Sequence, residues 1–258
     1  QLPDLFEKYL LCGVGNRHTP ECFQNIIPKF EALSYPTAYV NLATVGGHNP
    51  AATHLDDVIA IHAVTVPLMN EGKEIMLVPH SYGGIPVCAS IEGQTVAERS
   101  ARGEKGGITS VFFIASFALE RKGMSCTETF AADADYIDFA GAFGVVNENA
   151  KRALYNDLSP EQADYWLSRC KPHALVSFAK PVDFVPPDLT IPSTYLIYEN
   201  DGALRLSLQE QLVAATPGMK SVRFHGGHSP FLSHPDFVVD AMVKAAEEIS
   251  SDKMPSQL

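Results

Sequence analysis

Basic residues are scarce in this sequence: 19 Lys and Arg stand against 30 Asp and Glu in 258 residues, a formal net charge of −11 at pH 7. Lys and Arg form no stripe, and a net negative surface repels phosphate backbones and anionic lipid, so nucleic acid is excluded as a partner. Long apolar runs are missing too. The longest, Ile108 to Leu119, contains Thr and Ser and is too short to span a bilayer, so it reads as a buried strand and no membrane association is expected. Cysteine is sparse. The five residues Cys12, Cys22, Cys88, Cys126 and Cys170 are odd in number and widely separated, which suits neither a disulfide framework nor a zinc site. Free thiols fit a reducing compartment, and Gln1 to Lys8 show no basic stretch leading into an apolar one, the mark of a secretory signal. A cytoplasmic location is the expectation.

Nucleotide-binding glycine signatures are also absent: neither G-x-G-x-x-G nor G-x-x-x-x-G-K-[ST] occurs. His48, His54, His62, His173 and His234 have no metal-ligand spacing such as H-E-x-x-H. The pair Asp56-Asp57 fits the first turn of a helix, where carboxylates stabilise the dipole, rather than a metal. Chemistry without metal or cofactor is therefore expected. The partners expected are a small-molecule substrate and, at most, a second copy of the chain in a homodimer.

What is present is an alternation of short apolar runs with helix-period segments, the pattern of a parallel sheet covered by helices on both faces. Strands are predicted at Tyr9–Cys12, Thr37–Ala43, Glu74–Pro79, Thr109–Phe117, Pro192–Tyr198 and Ser221–Phe224, about six in all. Helices are predicted at Pro20–Leu33, Asp56–Asn70 and Pro235–Ile249, and immediately after Glu74–Pro79. The length suits one large core, hence one domain over residues 1–258. Between Phe117 and Pro192 the rhythm stops, and helical stretches at Asn147–Asp157 and Pro160–Arg169 suggest an inserted lid over about residues 120–188. Its large side chains, Phe130, Phe139 and Trp166 among them, are candidates for lining an apolar pocket.

The strongest local signal is Pro79-His80-Ser81-Tyr82-Gly83-Gly84, where a buried strand reverses into a helix within a few residues. A serine on such a strained turn needs small neighbours so that the backbone can pass closely, and Gly83 and Gly84 provide them. Pro79 stands where the G-x-S-x-G pattern has its first glycine. A serine hydroxyl is a poor nucleophile at neutral pH, so it needs a histidine base and a carboxylate to orient that base. Both follow in order. Asp201 lies in Glu199-Asn200-Asp201-Gly202 after a predicted strand, with Glu199 as its rival, and His228 lies in His225-Gly226-Gly227-His228-Ser229-Pro230 before the last helix. The oxyanion of an acyl-transfer step needs two aligned donors. Tyr82 N–H is one candidate, and the loop Gly13-Val14-Gly15-Asn16-Arg17-His18 supplies the other, Val14 ahead of Gly15. Gly13, Gly15, His18 and His80 are candidates to face the substrate.

Taken together, Gly13-Val14, His80-Ser81-Tyr82-Gly83-Gly84, Asp201 and Gly227-His228-Ser229-Pro230-Phe231-Leu232 resemble the α/β-hydrolase superfamily, and within it the small-lid branch of plant methylesterases and hydroxynitrile lyases. The resemblance covers nearly the whole chain. It implies an acyl-enzyme on Ser81, resolved by water that His228 activates while Asp201 holds the imidazole tautomer, and hydrolysis of a small, fairly apolar ester, lactone or thioester. A C–C lyase or biosynthetic enzyme of secondary metabolism stays open, as does a ligand receptor on the same scaffold, because a fold does not fix a substrate.

Overall fold

The computed structural model describes residues 8–13, 18, 20–129 and 134–252. Its strands are β1 (Lys8–Gly13), β2 (Thr37–Val40), β3 (Glu74–Ser81), β4 (Gly107–Ser116), β5 (Ile137–Ala140), β6 (Phe143–Val146), β7 (His173–Ala174), β8 (Ser193–Tyr198) and β9 (Lys220–Phe224). Six of them form one parallel sheet in the order β2-β1-β3-β4-β8-β9. This is the parallel sheet that the apolar alternation predicts, and the architecture that the resemblance implies.

Parallel strands buried on both faces must be apolar at odd and even positions alike, and these are. Met76, Val78, Phe112, Ile114, Leu196 and Tyr198 point into one core, packed by helix Ile27–Ala32 and helix Pro235–Asp252. Their chain neighbours Ile75, Leu77, Val111, Phe113, Tyr195 and Ile197 point into the other, packed by helices His54–Asn70, Gly84–Ile91 and Leu206–Ala214. Among the described residues no helix is long and apolar enough to cross a membrane.

The strand order also locates a site. From β1 the chain moves out to β2 and then returns to place β3 on the other side of β1. Open α/β sheets bind ligands at such a reversal, outside the carboxyl ends of the strands. Gly13 ends β1 and Ser81 ends β3 at that crevice.

Three predicted elements differ. The helix expected over Pro20–Leu33 is a 3-10 turn at Pro20–Phe23 followed by helix Ile27–Ala32, because Pro28 has no N–H to donate and fits only a first turn. The helix expected over Asn147–Asp157 shortens to Ala150–Leu154, since the Asn147 side chain accepts from Asn149 N–H (2.9 Å) and turns the chain there instead. The segment between β4 and β8 is also less helical than expected. It carries an antiparallel sheet, β5-β6-β7, whose hairpin turns at Gly141 (φ +63°) and which a bridge from His173 to Val45 ties to the loop after β2. Helix Pro160–Arg169 forms as predicted, with Pro160 in its first turn and Ser159 and Gln162 in a capping box.

Candidate active site

Strand β3 continues through Pro79 to Ser81, and helix Gly84–Ile91 begins three residues later. So abrupt a reversal puts Ser81 at φ +51°, a left-handed conformation that a residue with a side chain adopts only when its surroundings hold it there. They do so from β4: Phe117 N–H (3.0 Å) and Ser116 Oγ (2.8 Å) both donate to the Ser81 carbonyl. Gly84 permits this approach. A Cβ there would lie 1.9 Å from the Phe117 carbonyl oxygen and 2.4 Å from Ser116 Oγ.

The carboxyl ends of β8 and β9 bring Asp201 and His228 together. His228 Nδ1–H donates to Asp201 Oδ2 at 2.8 Å, with both side chains buried. The other carboxylate oxygen, Oδ1, accepts from Ala203 N–H (2.8 Å) and Leu204 N–H (2.7 Å), which fixes the carboxylate plane. The rival Glu199 instead faces His225 at 3.6 Å in an exposed pair. A ring that donates through Nδ1 keeps Nε2 free as an acceptor, the tautomer a general base needs.

His80 links elbow and base. Its Nε2–H donates to the His228 carbonyl at 2.8 Å, and its ring lies 4.7 Å from the His228 ring and edge-on to Phe231. Burial, reinforced by His228 and His18, holds the His80 imidazole far below its ordinary range, so it stays neutral. Among the described residues, the hydrogen bonds include none from Ser81 Oγ.

Two residues that the sequence reading missed grip the loops from the insert. Asn156 Nδ2 donates to the Asn200 carbonyl (2.8 Å), beside Asp201. Asp157 Oδ2 accepts from Gly227 N–H and from Ser233 Oγ (2.8 Å each), on either side of His228. A Cβ at Gly227 would sit 2.2 Å from Asn156 Oδ1 and 2.8 Å from Asp157 Oδ1, so any larger residue would displace these two side chains. The sequence carried no signal for the pair beyond two polar residues after a short helix.

Asp56 and Asp57 both lie in the first turn of helix His54–Asn70, as predicted. Asp56 does cap its helix, accepting from Thr53 N–H at 2.7 Å. Asp57 also turns inward: it is fully buried and accepts from Thr44 N–H (3.0 Å), Thr44 Oγ1 (2.9 Å) and the Tyr82 hydroxyl (3.1 Å). Burial pushes its carboxyl up to about 6 against the pull of these donors.

A model of the alpha/beta hydrolase family matches residues 10–241. The chain belongs to that family. Among its relatives is the alpha/beta hydrolase nvfD of Aspergillus novofumigatus, 28% identical over 246 residues that cover 91% of this chain and 94% of that one. Solved structures of similar fold include the pyrethroid hydrolase PytH (TM-score 0.73, 18% identity, 95% and 98% of the two chains) and polyneuridine aldehyde esterase (TM-score 0.73, 15% identity, 93% and 99%). The protein is an enzyme of the hydrolase type.

In this α/β-hydrolase the remaining candidates fall in three places. Val14, Gly15 and Phe130 lie outside the described residues. Gly13 pairs with Pro79 and Val40 at the crevice, and His18 is buried with Nε2 bonded to the Tyr155 hydroxyl and its ring 6.2 Å from that of His80. Phe139 and Trp166 differ in their settings. Phe139 is 78% exposed on β5, a strand with no fully buried residue. Trp166 packs into the core beside Tyr155 and lines a groove of about 330 Å³ with Gln24, Glu161, Tyr165 and Leu232.

Proposed function

We propose that this hydrolase cleaves a small, fairly apolar carboxylic ester, lactone or thioester through an acyl-enzyme on Ser81. The observation that carries this reading is the buried Asp201–His228 hydrogen bond of 2.8 Å, joined through His80 to a serine held at φ +51°. Ser81 Oγ attacks the acyl carbon while His228 Nε2 takes its proton. The oxyanion is met by Tyr82 N–H and by a donor from the loop after β1, Val14 in first place. His228 then returns the proton to the leaving alcohol or thiol, activates a water, and frees the acid. The segment of about residues 120–188 acts as a lid, and its grip on the Asp201 and His228 loops through Asn156 and Asp157 supports that role. Relatives with esterase and hydrolase names agree with this chemistry.

A second reading, proton transfer in a C–C bond step, draws on one feature. The His18–Tyr155 pair adds a buried polar group near His80 that simple ester cleavage does not use.

A panel of p-nitrophenyl and aryl esters, lactones and thioesters separates the two. Ester hydrolysis predicts saturable turnover that falls by at least about 10³-fold in Ser81→Ala. Turnover that survives in Ser81→Ala, or no turnover on any member of the panel, overturns the hydrolytic reading.

A further inference from the structure

We propose that Asp57 is a positioning residue for catalysis, acting through the Tyr82 phenol to aim the Tyr82 N–H at the developing oxyanion. The inference rests on the reading that Ser81 is the nucleophile and Tyr82 N–H an oxyanion donor.

The Tyr82 side chain is anchored along its whole length. Its hydroxyl donates to Asp57 Oδ2 at 3.1 Å, while its ring meets the edge of His173 at 4.5 Å and packs against Phe178 at 5.0 Å. Burial and the facing Asp57 carboxylate raise the phenol well above its ordinary value, so it stays a donor. On the main-chain side, Tyr82 follows a strained residue. Relaxing Ser81 from φ +51° would swing the Ser81–Tyr82 peptide and turn its N–H away from the crevice. Tethering the ring at its far end opposes that swing, because Tyr82 cannot follow the peptide without breaking the phenol–carboxylate bond.

Asp57 is itself firmly held. The buried carboxylate is met by neutral donors, two from Thr44, one from Tyr82 and one from the Ala43 backbone, which together fix the oxygen that faces the phenol. Its frame is also shared with the insert. The Thr44 carbonyl accepts from Ala174 N–H (2.9 Å), Gly46 N–H donates to the Pro172 carbonyl (2.9 Å), and His173 Nε2 meets Ser177 Oγ at 3.1 Å. The anchor of the oxyanion donor is thus set between helix His54–Asn70, the loop after β2, and the segment that packs on Tyr82.

The test compares Asp57→Asn, Tyr82→Phe and the double variant on the best ester of the panel, with Thr44→Val as a milder probe of the same carboxylate. Each single variant is expected to lower kcat by about 10- to 100-fold with KM unchanged within about twofold. Affinity for an aryl trifluoromethyl ketone, which forms an oxyanion on the serine, should fall by the same factor. Because both groups act through one hydrogen bond, the double variant should lose no more than the worse single one. An unchanged kcat in Tyr82→Phe, losses that multiply in the double variant, or a ketone affinity that stays constant while kcat falls would each overturn the proposal. Should Asp57→Asn fail to fold, Tyr82→Phe and Thr44→Val decide alone. Ser81→Ala in the same series keeps the two readings apart: turnover that survives there removes the underlying serine mechanism instead.

Discussion

Asparagine at position 201 is expected to lower kcat by about 10⁴-fold while leaving the fold intact. The size of the effect follows from the other bonds of the carboxylate. Asp201 Oδ1 accepts from two backbone N–H groups, at 2.8 and 2.7 Å, while Oδ2 accepts from His228 Nδ1–H at 2.8 Å. An asparagine has one oxygen and one NH2 to place. Turning the NH2 toward Ala203 and Leu204 would set donor against two donors, so the oxygen stays there and the NH2 faces His228. The imidazole must then present Nδ1 as an acceptor and carry its proton on Nε2, where it cannot take one from Ser81. Circular dichroism and thermal melting should match the parent protein while ester turnover collapses. An Asp201→Asn variant within about tenfold of the parent kcat would show that the carboxylate does not set the tautomer.

Gly84→Ala is the second large effect, and it appears in stability. The added Cβ falls 1.9 Å from the Phe117 carbonyl oxygen and 2.4 Å from Ser116 Oγ, at the very segment whose Phe117 N–H and Ser116 Oγ hold the Ser81 carbonyl. The obstacle is main chain, so no rotamer change relieves it. Overpacking against side chains costs about 1–3 kcal/mol, and a clash with backbone in a fully buried elbow belongs at or above that upper end. At about 2–4 °C per kcal/mol for a chain of this size, Tm should fall by roughly 6–12 °C or more. Serine labelling by a fluorophosphonate should weaken in the same variant, since the strain at Ser81 is no longer held. A Tm within about 2 °C of the parent would mean that the elbow yields more easily than its contacts indicate.

Much of this was legible in the sequence, for identifiable reasons. Successive residues such as Ile75, Met76, Leu77 and Val78 are all apolar, because they alternate between the two cores on either face of the sheet. The elbow, Asp201 and His228 could be placed because each sits where a strand ends in a turn with small or polar neighbours. The Asp56-Asp57 pair lies in a first helical turn as expected, but position within a helix does not show that Asp57 also turns inward. Asp56 caps the helix, and the contacts of Asp57 with Thr44 and Tyr82 separate the two. The β5–β6 hairpin was missed because its strands are short and its face is largely open, so Phe139 looked like pocket lining when it is solvent-facing. Asn156 and Asp157 act on loops 44 and 70 residues away in sequence, a relation that no local pattern records.

Trapping the acyl-enzyme tests the central claim most directly. The protein is mixed with a p-nitrophenyl ester, quenched in acid within the first turnovers, digested and read by mass spectrometry. An acyl group on the peptide carrying Ser81, absent in Ser81→Ala, is the expected result. Product release with no adduct at Ser81, or an adduct on another residue, would contradict a mechanism built on this serine.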